Sequence, residues 1–128
     1  MDKVLLQNLY LINSKSGMEE EMADFILAYV ESRASLPNAP ICKIQTDVKG
    51  NILITSGKAD KYPCLCAHMD EVHTSPHDKI VMVYQNFMFG FSPSRKSFVG
   101  IGADDKNGIY IALKALDELP AVKLLFTV

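Results

Sequence analysis

Two short stretches of the sequence combine residue types that can do chemistry. In the first, His68 and Asp70 stand at the end of the apolar run Cys64-Leu65-Cys66-Ala67. In open α/β sheets, ligands gather at the carboxyl edge of such strands. An imidazole there can bind a metal through one ring nitrogen, and a carboxylate two residues on can accept the other ring N–H. The bland alternative is a surface His beside a surface Asp, because H-x-D is short and common. The second stretch is Gly100-Ile101-Gly102-Ala103-Asp104-Asp105-Lys106-Asn107-Gly108. It puts two adjacent carboxylates at a glycine-rich turn that opens a helix. One of these aspartates can cap the helix while the glycines permit the turn. One can also bridge metal ions, and the two roles are compatible.

The elements that must hold these stretches follow from periodicity. Leu5, Leu6, Leu9 and Ile12 recur on one helical face. Residues 13–17 break that helix. Ser16 and Glu19 have the spacing of a capping box, which predicts a second helix starting there. Met22, Phe25, Ile26, Tyr29 and Val30 form its apolar stripe, and Pro37 and Pro40 end any helix that reaches them. Residues 42–48 and 51–56 read as strands around a Lys49-Gly50 turn. Residues 62–67 read as a short central strand covered on both faces, with Cys64 and Cys66 as buried thiols on one side of it. Residues 80–84 and 86–91 read as two more strands, and 92–97 as a polar, exposed loop.

Ile109, Ala112, Leu113 and Leu116 predict a helix that Pro120 stops, and residues 121–128 a buried strand. The order of elements predicts an α/β fold with a mixed, mainly parallel sheet and flanking helices. His73 and His77 have the spacing of a helical zinc pair, but Pro76 lies between them and no Glu follows His73. They read as part of a loop near the site. Met82, Phe87, Met88, Phe89 and Phe91 read as core or interface.

Composition narrows the function classes. The chain has 128 residues, 48% hydrophobic and 22% charged, which excludes disorder over most of its length and suits a single domain over residues 1–128. The net charge is −2, with no basic surplus, so a nucleic-acid partner is not expected. The longest apolar run, residues 25–30, is far short of the about 20 residues a membrane span needs. Gln7 and Asn8 interrupt the N-terminal apolar stretch, so no export signal is expected. Three cysteines are an odd number, which does not suit a disulfide framework and makes the cytoplasm the default location.

Taken together, Cys64-Leu65-Cys66-Ala67-His68-Met69-Asp70 and Gly102-Ala103-Asp104-Asp105-Lys106-Asn107-Gly108 resemble the co-catalytic zinc exopeptidases and deacylases, the family of peptidase T, carboxypeptidase G and aminoacylase. An apolar strand ending in H-x-D, a G-A-D-D-K turn opening a helix, and a following strand occur in the family's order. Ser16-Gly17-Met18-Glu19 also looks like the family's N-terminal region, and His68-Met69-Asp70-Glu71 is similar to the H-x-D-E of related cytosolic aminopeptidases. Those enzymes usually insert a domain between the two motifs. The short spacing here favours the peptidase T side.

The resemblance implies a zinc-exopeptidase (phosphorylase/hydrolase-like) fold, incomplete here. It makes His68 a terminal zinc ligand, Asp104 the bridge between two zinc ions, and Asp70 the residue that orients His68. Asp105 stands at a position the family varies and is not taken as a ligand. In such sites the ions lie about 3.5–4 Å apart and activate a shared water. The implied substrate is a peptide or an acyl-amino acid, cleaved at a terminal amide. The family's next strand leads into a Glu-Glu pair, general base then zinc ligand, and the 128 residues contain neither. The expectation is therefore the front part of a catalytic domain, without lid domain or rear half. Alone it would be inactive, bind zinc weakly, and self-associate through exposed apolar surface. The alternative is a non-catalytic α/β association domain derived from the same fold.

Overall fold

The computed structural model describes residues 2–128. Its elements, in chain order, are α1 (Lys3–Leu11), α2 (Glu20–Ala34), β1 (Cys42–Thr46), β2 (Ile52–Ser56), β3 (Cys64–His68), β4 (Ile80–Tyr84), β5 (Phe87–Ser92), β6 (Ser97–Val99), α3 (Ala103–Glu118) and β7 (Val122–Thr127). Asp2 caps α1 by accepting the Leu5 N–H at 3.0 Å. The stripe expected on α1 is the buried one: Leu5, Leu6, Leu9 and, just past the helix, Ile12. In α2, Met22, Ile26 and Val30 are buried, and Phe25 and Tyr29 pack against them.

The start of α2 departs from the expected capping box. Ser16 does not cap the helix; its hydroxyl donates to the Asp70 carboxylate instead. Glu19 takes the N-cap position without a side-chain cap bond, and its carboxylate accepts the Gly17 N–H at 2.7 Å. The reason is tertiary. Lys15 bridges in parallel to Glu71, and the Ser16 N–H donates to the Glu71 carbonyl at 3.2 Å. That pairing lays Ser16 beside Asp70 before the helix begins.

The main sheet has four strands in the order β1-β2-β7-β3. It is mixed, as expected, with helices packed on it. Its parallel share is one pair, β3 with β7, while β1–β2 and β2–β7 are antiparallel. The tight turn around Lys49-Gly50 imposes the first antiparallel pair, and β7 enters beside β2 in the opposite direction. Burial alternates along β2 and β7, so Ile52, Ile54, Val122, Leu124 and Phe126 face the core. From α3, Ile109, Ala112, Leu113 and Leu116 meet them, the four positions predicted by periodicity.

The expected central strand at residues 62–67 is instead an edge strand. β7 occupies the middle, and β3 pairs only with it among the described residues. Cys64 and Cys66 are accordingly exposed free thiols, not buried ones. Short runs of small apolar residues look the same whether one face or two is covered. The open face of β3 is where the two disagree.

Residues 80–99 form a separate three-stranded antiparallel sheet, β4-β5-β6. The expected loop at 92–97 is shorter than predicted. Ser92 is buried at the end of β5, and Ser97 begins β6. The Asp78 carboxylate holds the turn between them, accepting the Ser92 hydroxyl at 2.8 Å and the Ser94 N–H at 2.7 Å. The register puts Ile80, Met82, Tyr84, Phe87, Phe89, Phe91 and Phe98 on one face. Phe98 stands edge-on to Phe89 and Phe91, with ring centroids 5.5 and 6.0 Å away. Much of this face is exposed, and it lies outside the main core. Among the described residues no helix is long and apolar enough to cross a membrane.

Candidate functional site

His68 ends β3 at the carboxyl edge of the main sheet, and both of its ring nitrogens are engaged. Nδ1 lies 2.9 Å from Asp70 Oδ1 and 3.1 Å from the Asp70 carbonyl. Nε2 lies 3.0 Å from Asp104 Oδ1. Asp70 is itself held by the Ser16 hydroxyl. Sequence reasoning gave Ser16 to a helix cap, and no local signal could have assigned it to Asp70. The Ser16 hydrogen bond lowers the pKa of Asp70 against the cost of burial, and His68 lowers it further. At His68, burial works against the charged ring, but the hydrogen bonds it donates to Asp104 and Asp70 outweigh that cost and raise the pKa.

The turn before α3 separates the two adjacent aspartates. Gly102 has φ +65°, and a Cβ there would come within 2.3 Å of Glu71 Oε2. Glycine is thus required both by the backbone and by the side chain beneath it. Asp104 and Asp105 are non-helical, and the peptide between them is cis. Asp105 Oδ1 accepts the Gly108 N–H at 3.0 Å and so caps the regular part of α3. The Asp104 side chain is 95% exposed and faces His68. Of the two roles foreseen for this carboxylate pair, capping falls to Asp105, and Asp104 is left free to face His68.

Behind the turn lies a buried charge cluster that sequence reasoning missed. The Lys106 side chain points inward, 2% exposed, and its Nζ donates to the Ile12 carbonyl at 2.5 Å. Its ion pair with Glu71 Oε1 is 3.3 Å long. The same Glu71 oxygen accepts the Ser14 N–H at 3.3 Å and the Ser75 hydroxyl at 3.4 Å. Lys79, also buried, donates to Ser75 Oγ at 2.8 Å. Burial, reinforced by the charge of Lys106 and opposed by Glu71, pulls the Lys79 pKa down to about 8. The cluster ties together the end of α1, the H-x-D strand end, the start of β4 and the opening of α3. Its sole sequence trace is an acidic or basic residue next to each candidate ligand segment.

His68, Asp70 and Asp104 open into a cleft of about 510 Å³, also lined by His73, Arg95 and Phe98. His73 and His77 lie in exposed loop positions, as expected. The chemistry of the donors suits zinc in type and spacing. One imidazole nitrogen and one carboxylate oxygen 3.0 Å apart can share an ion whose bonds are about 2.0–2.2 Å long. In number they fall short. No group of three or more His, Cys, Asp or Glu side chains that could hold a metal gathers among the described residues, whereas a catalytic zinc takes about three protein ligands. The donor pair is half a site, and no reaction step follows from it alone.

No protein-family model and no curated sequence matches this chain. Solved structures do. A tripeptidase from Staphylococcus aureus superposes with a TM-score of 0.68 at 19% identity, over 94% of this chain and 33% of that one. Aminopeptidase PepT from Bacillus cereus gives 0.67 at 18% identity, over 96% and 34%. A Thermotoga maritima protein described as an endoglucanase gives 0.60 at 20% identity, over 96% and 58%. At these identities the likeness is one of fold, and the neighbours' differing activities show that the fold does not choose the reaction. This chain therefore has a peptidase-like α/β fold, and it spans about a third of the length of the two peptidases it matches.

Proposed function

We propose that these 128 residues are the front part of the catalytic domain of a dinuclear zinc exopeptidase or deacylase. The parent activity is hydrolysis of a terminal peptide bond or an acyl-amino-acid amide. The observation that carries this reading is the His68 ring held between Asp70 on Nδ1 and Asp104 on Nε2. In it, His68 is a terminal ligand, Asp104 the bridging ligand, and Asp70 the positioning residue. Bound zinc supplies Lewis acidity and a water acidic enough to react near neutral pH. The residues of this chain fix the ring's tautomer and direction. With two donors and no general base, the 128-residue polypeptide binds zinc weakly and hydrolyses no peptide.

The adjacent aspartates give the test. Asp104→Ala removes zinc binding, read by calorimetry, and leaves stability within about 0.5 kcal/mol. Asp105→Ala does the reverse: it keeps zinc binding and costs about 1 kcal/mol through the lost cap. Zinc affinity that survives Asp104→Ala sinks the bridging role.

A second reading rests on the exposed apolar face of the β4-β5-β6 sheet, where Tyr84, Phe87 and Phe98 are all more than half exposed. Faces of this kind cover one another in solution. Association through it gives a mass that rises with concentration in light scattering, and Phe87→Asp holds the chain monomeric. A wild-type chain that stays monomeric at millimolar concentration rejects this reading.

A further inference from the structure

β3 sends its side chains alternately to the two faces of the main sheet. Leu65 packs against the core and Ala67 is buried in it. Cys64 and Cys66 therefore project together from the opposite face, and both are exposed free thiols. Two residues of strand separate their Cα atoms by about 6–7 Å. A disulfide needs Cβ atoms about 3.5–4.5 Å apart, so this pair cannot close one while the strand stays extended. Side chains on a strand can lean along it. Leaning towards each other, the two sulfurs reach the separation of about 4.6 Å that two metal–sulfur bonds of about 2.3 Å span. The pair can thus hold one thiophilic atom between its sulfurs.

The surroundings decide which ion fits. Cys42 lies on β1, at the far edge of the sheet, and cannot join the pair. His68 follows on the same strand, but Asp70 and Asp104 engage both of its ring nitrogens. No group of three or more His, Cys, Asp or Glu side chains that could hold a metal gathers among the described residues. A structural zinc takes four ligands, which two thiols do not supply. Cu(I) is satisfied by two thiolates in a line, and soft sulfur ligands select it. Two thiolates around Cu(I) carry one net negative charge. The register sets Lys123 opposite Cys64, and its ammonium lies 5.2 Å from the centroid of the Tyr62 ring, on the same stretch of chain. That ammonium offsets the charge of the complex.

We propose that Cys64 and Cys66 form a two-coordinate site for a soft monovalent cation, Cu(I), on the open face of β3. Binding forms two copper–sulfur bonds and releases both thiol protons to solvent, with no change of oxidation state. The site differs in ligand type from the His68–Asp104 pair and does not depend on the peptidase reading.

The test is an anaerobic titration of the reduced 128-residue chain with Cu(I) held by bathocuproine disulfonate, whose colour falls as the protein takes the metal. The wild type removes one Cu(I) per chain, and X-ray absorption of the product shows two sulfur neighbours. Cys64→Ser and Cys66→Ser each lower the affinity about 100-fold or more. Cys42→Ser takes up copper as the wild type does. Cys64 and Cys66 are exposed, so their serine variants fold, and circular dichroism checks this. Four results overturn the proposal. They are a wild type that takes no copper from the chelator, an affinity that survives the loss of either thiol, copper uptake lost in Cys42→Ser, and one Cu(I) per two chains, which would place the metal between copies.

Discussion

Glu71→Ala lowers the free energy of unfolding by about 3–5 kcal/mol, the range for removing one partner of a buried ion pair. Both side chains of the pair are nearly inaccessible, at 2% for Lys106 and 7% for Glu71. The loss is large because one carboxylate answers two buried ammonium groups. It pairs with Lys106, and its field also acts on Lys79. Without it two like charges remain in a desolvated pocket. The Ser14 N–H and the Ser75 hydroxyl lose their acceptor as well. Glu71→Gln keeps an acceptor and falls between wild type and Glu71→Ala. Urea unfolding monitored by circular dichroism reads the difference. A loss below about 1 kcal/mol would show that the pair contributes little net stability.

The second large effect is one of pH. The folded-state pKa of Lys79 is about 8, below its ordinary value of 10.5. Between these values the unfolded chain binds more protons than the folded one, so stability rises with pH. Below about pH 8 the folded chain carries the full cost of a buried ammonium. Above 10.5 the group is neutral in both states and the cost is gone. Across that window the gain reaches about 3 kcal/mol. Lys106, also lowered by burial, adds to it in the same direction. Lys79→Met removes the Lys79 part, so the variant is the more stable protein at pH 7 and loses its advantage by pH 10.5. Parallel unfolding curves for the two proteins at all pH values would refute the buried-ammonium account.

What the sequence disclosed and what it hid divide along physical lines. Leu5, Leu9, Ile109 and Leu113 were legible because one buried helical face imposes a period on the chain. His68 and Asp70 were legible because an apolar strand ends at them, and Asp104 because a glycine-rich turn precedes it. The Ser16–Asp70 bond and the Glu71–Lys106–Lys79 cluster were not. They join segments distant in sequence, and a Ser four residues before a helix carries the same local pattern whether it caps or reaches across. β3 was placed in the centre of the sheet because its composition lacks polar residues. The sulfur atoms of Cys64 and Cys66, which composition counts as apolar, stand on the open side. The second sheet was hidden because β6 is only three residues long and the polar turn before it resembles a plain loop.

The strand order also sets the sequence of events on the ribosome. β1 and β2 form a local hairpin and can pair as soon as both have emerged. β3 emerges next but has no neighbour yet, because its place is beside β7, with Cys64 opposite Lys123 and His68 opposite Thr127. Until residues 122–127 have left the exit tunnel, the strand that bears His68 has both edges free. The Met69 N–H likewise waits for the Thr127 carbonyl, which it meets at 2.7 Å. Such long-range closure is slow and leaves edges open to wrong partners. The imidazole therefore comes to rest beside Asp104 only after residues 122–127 have emerged, and the nascent chain carries two bare thiols on an unpaired strand in the interval.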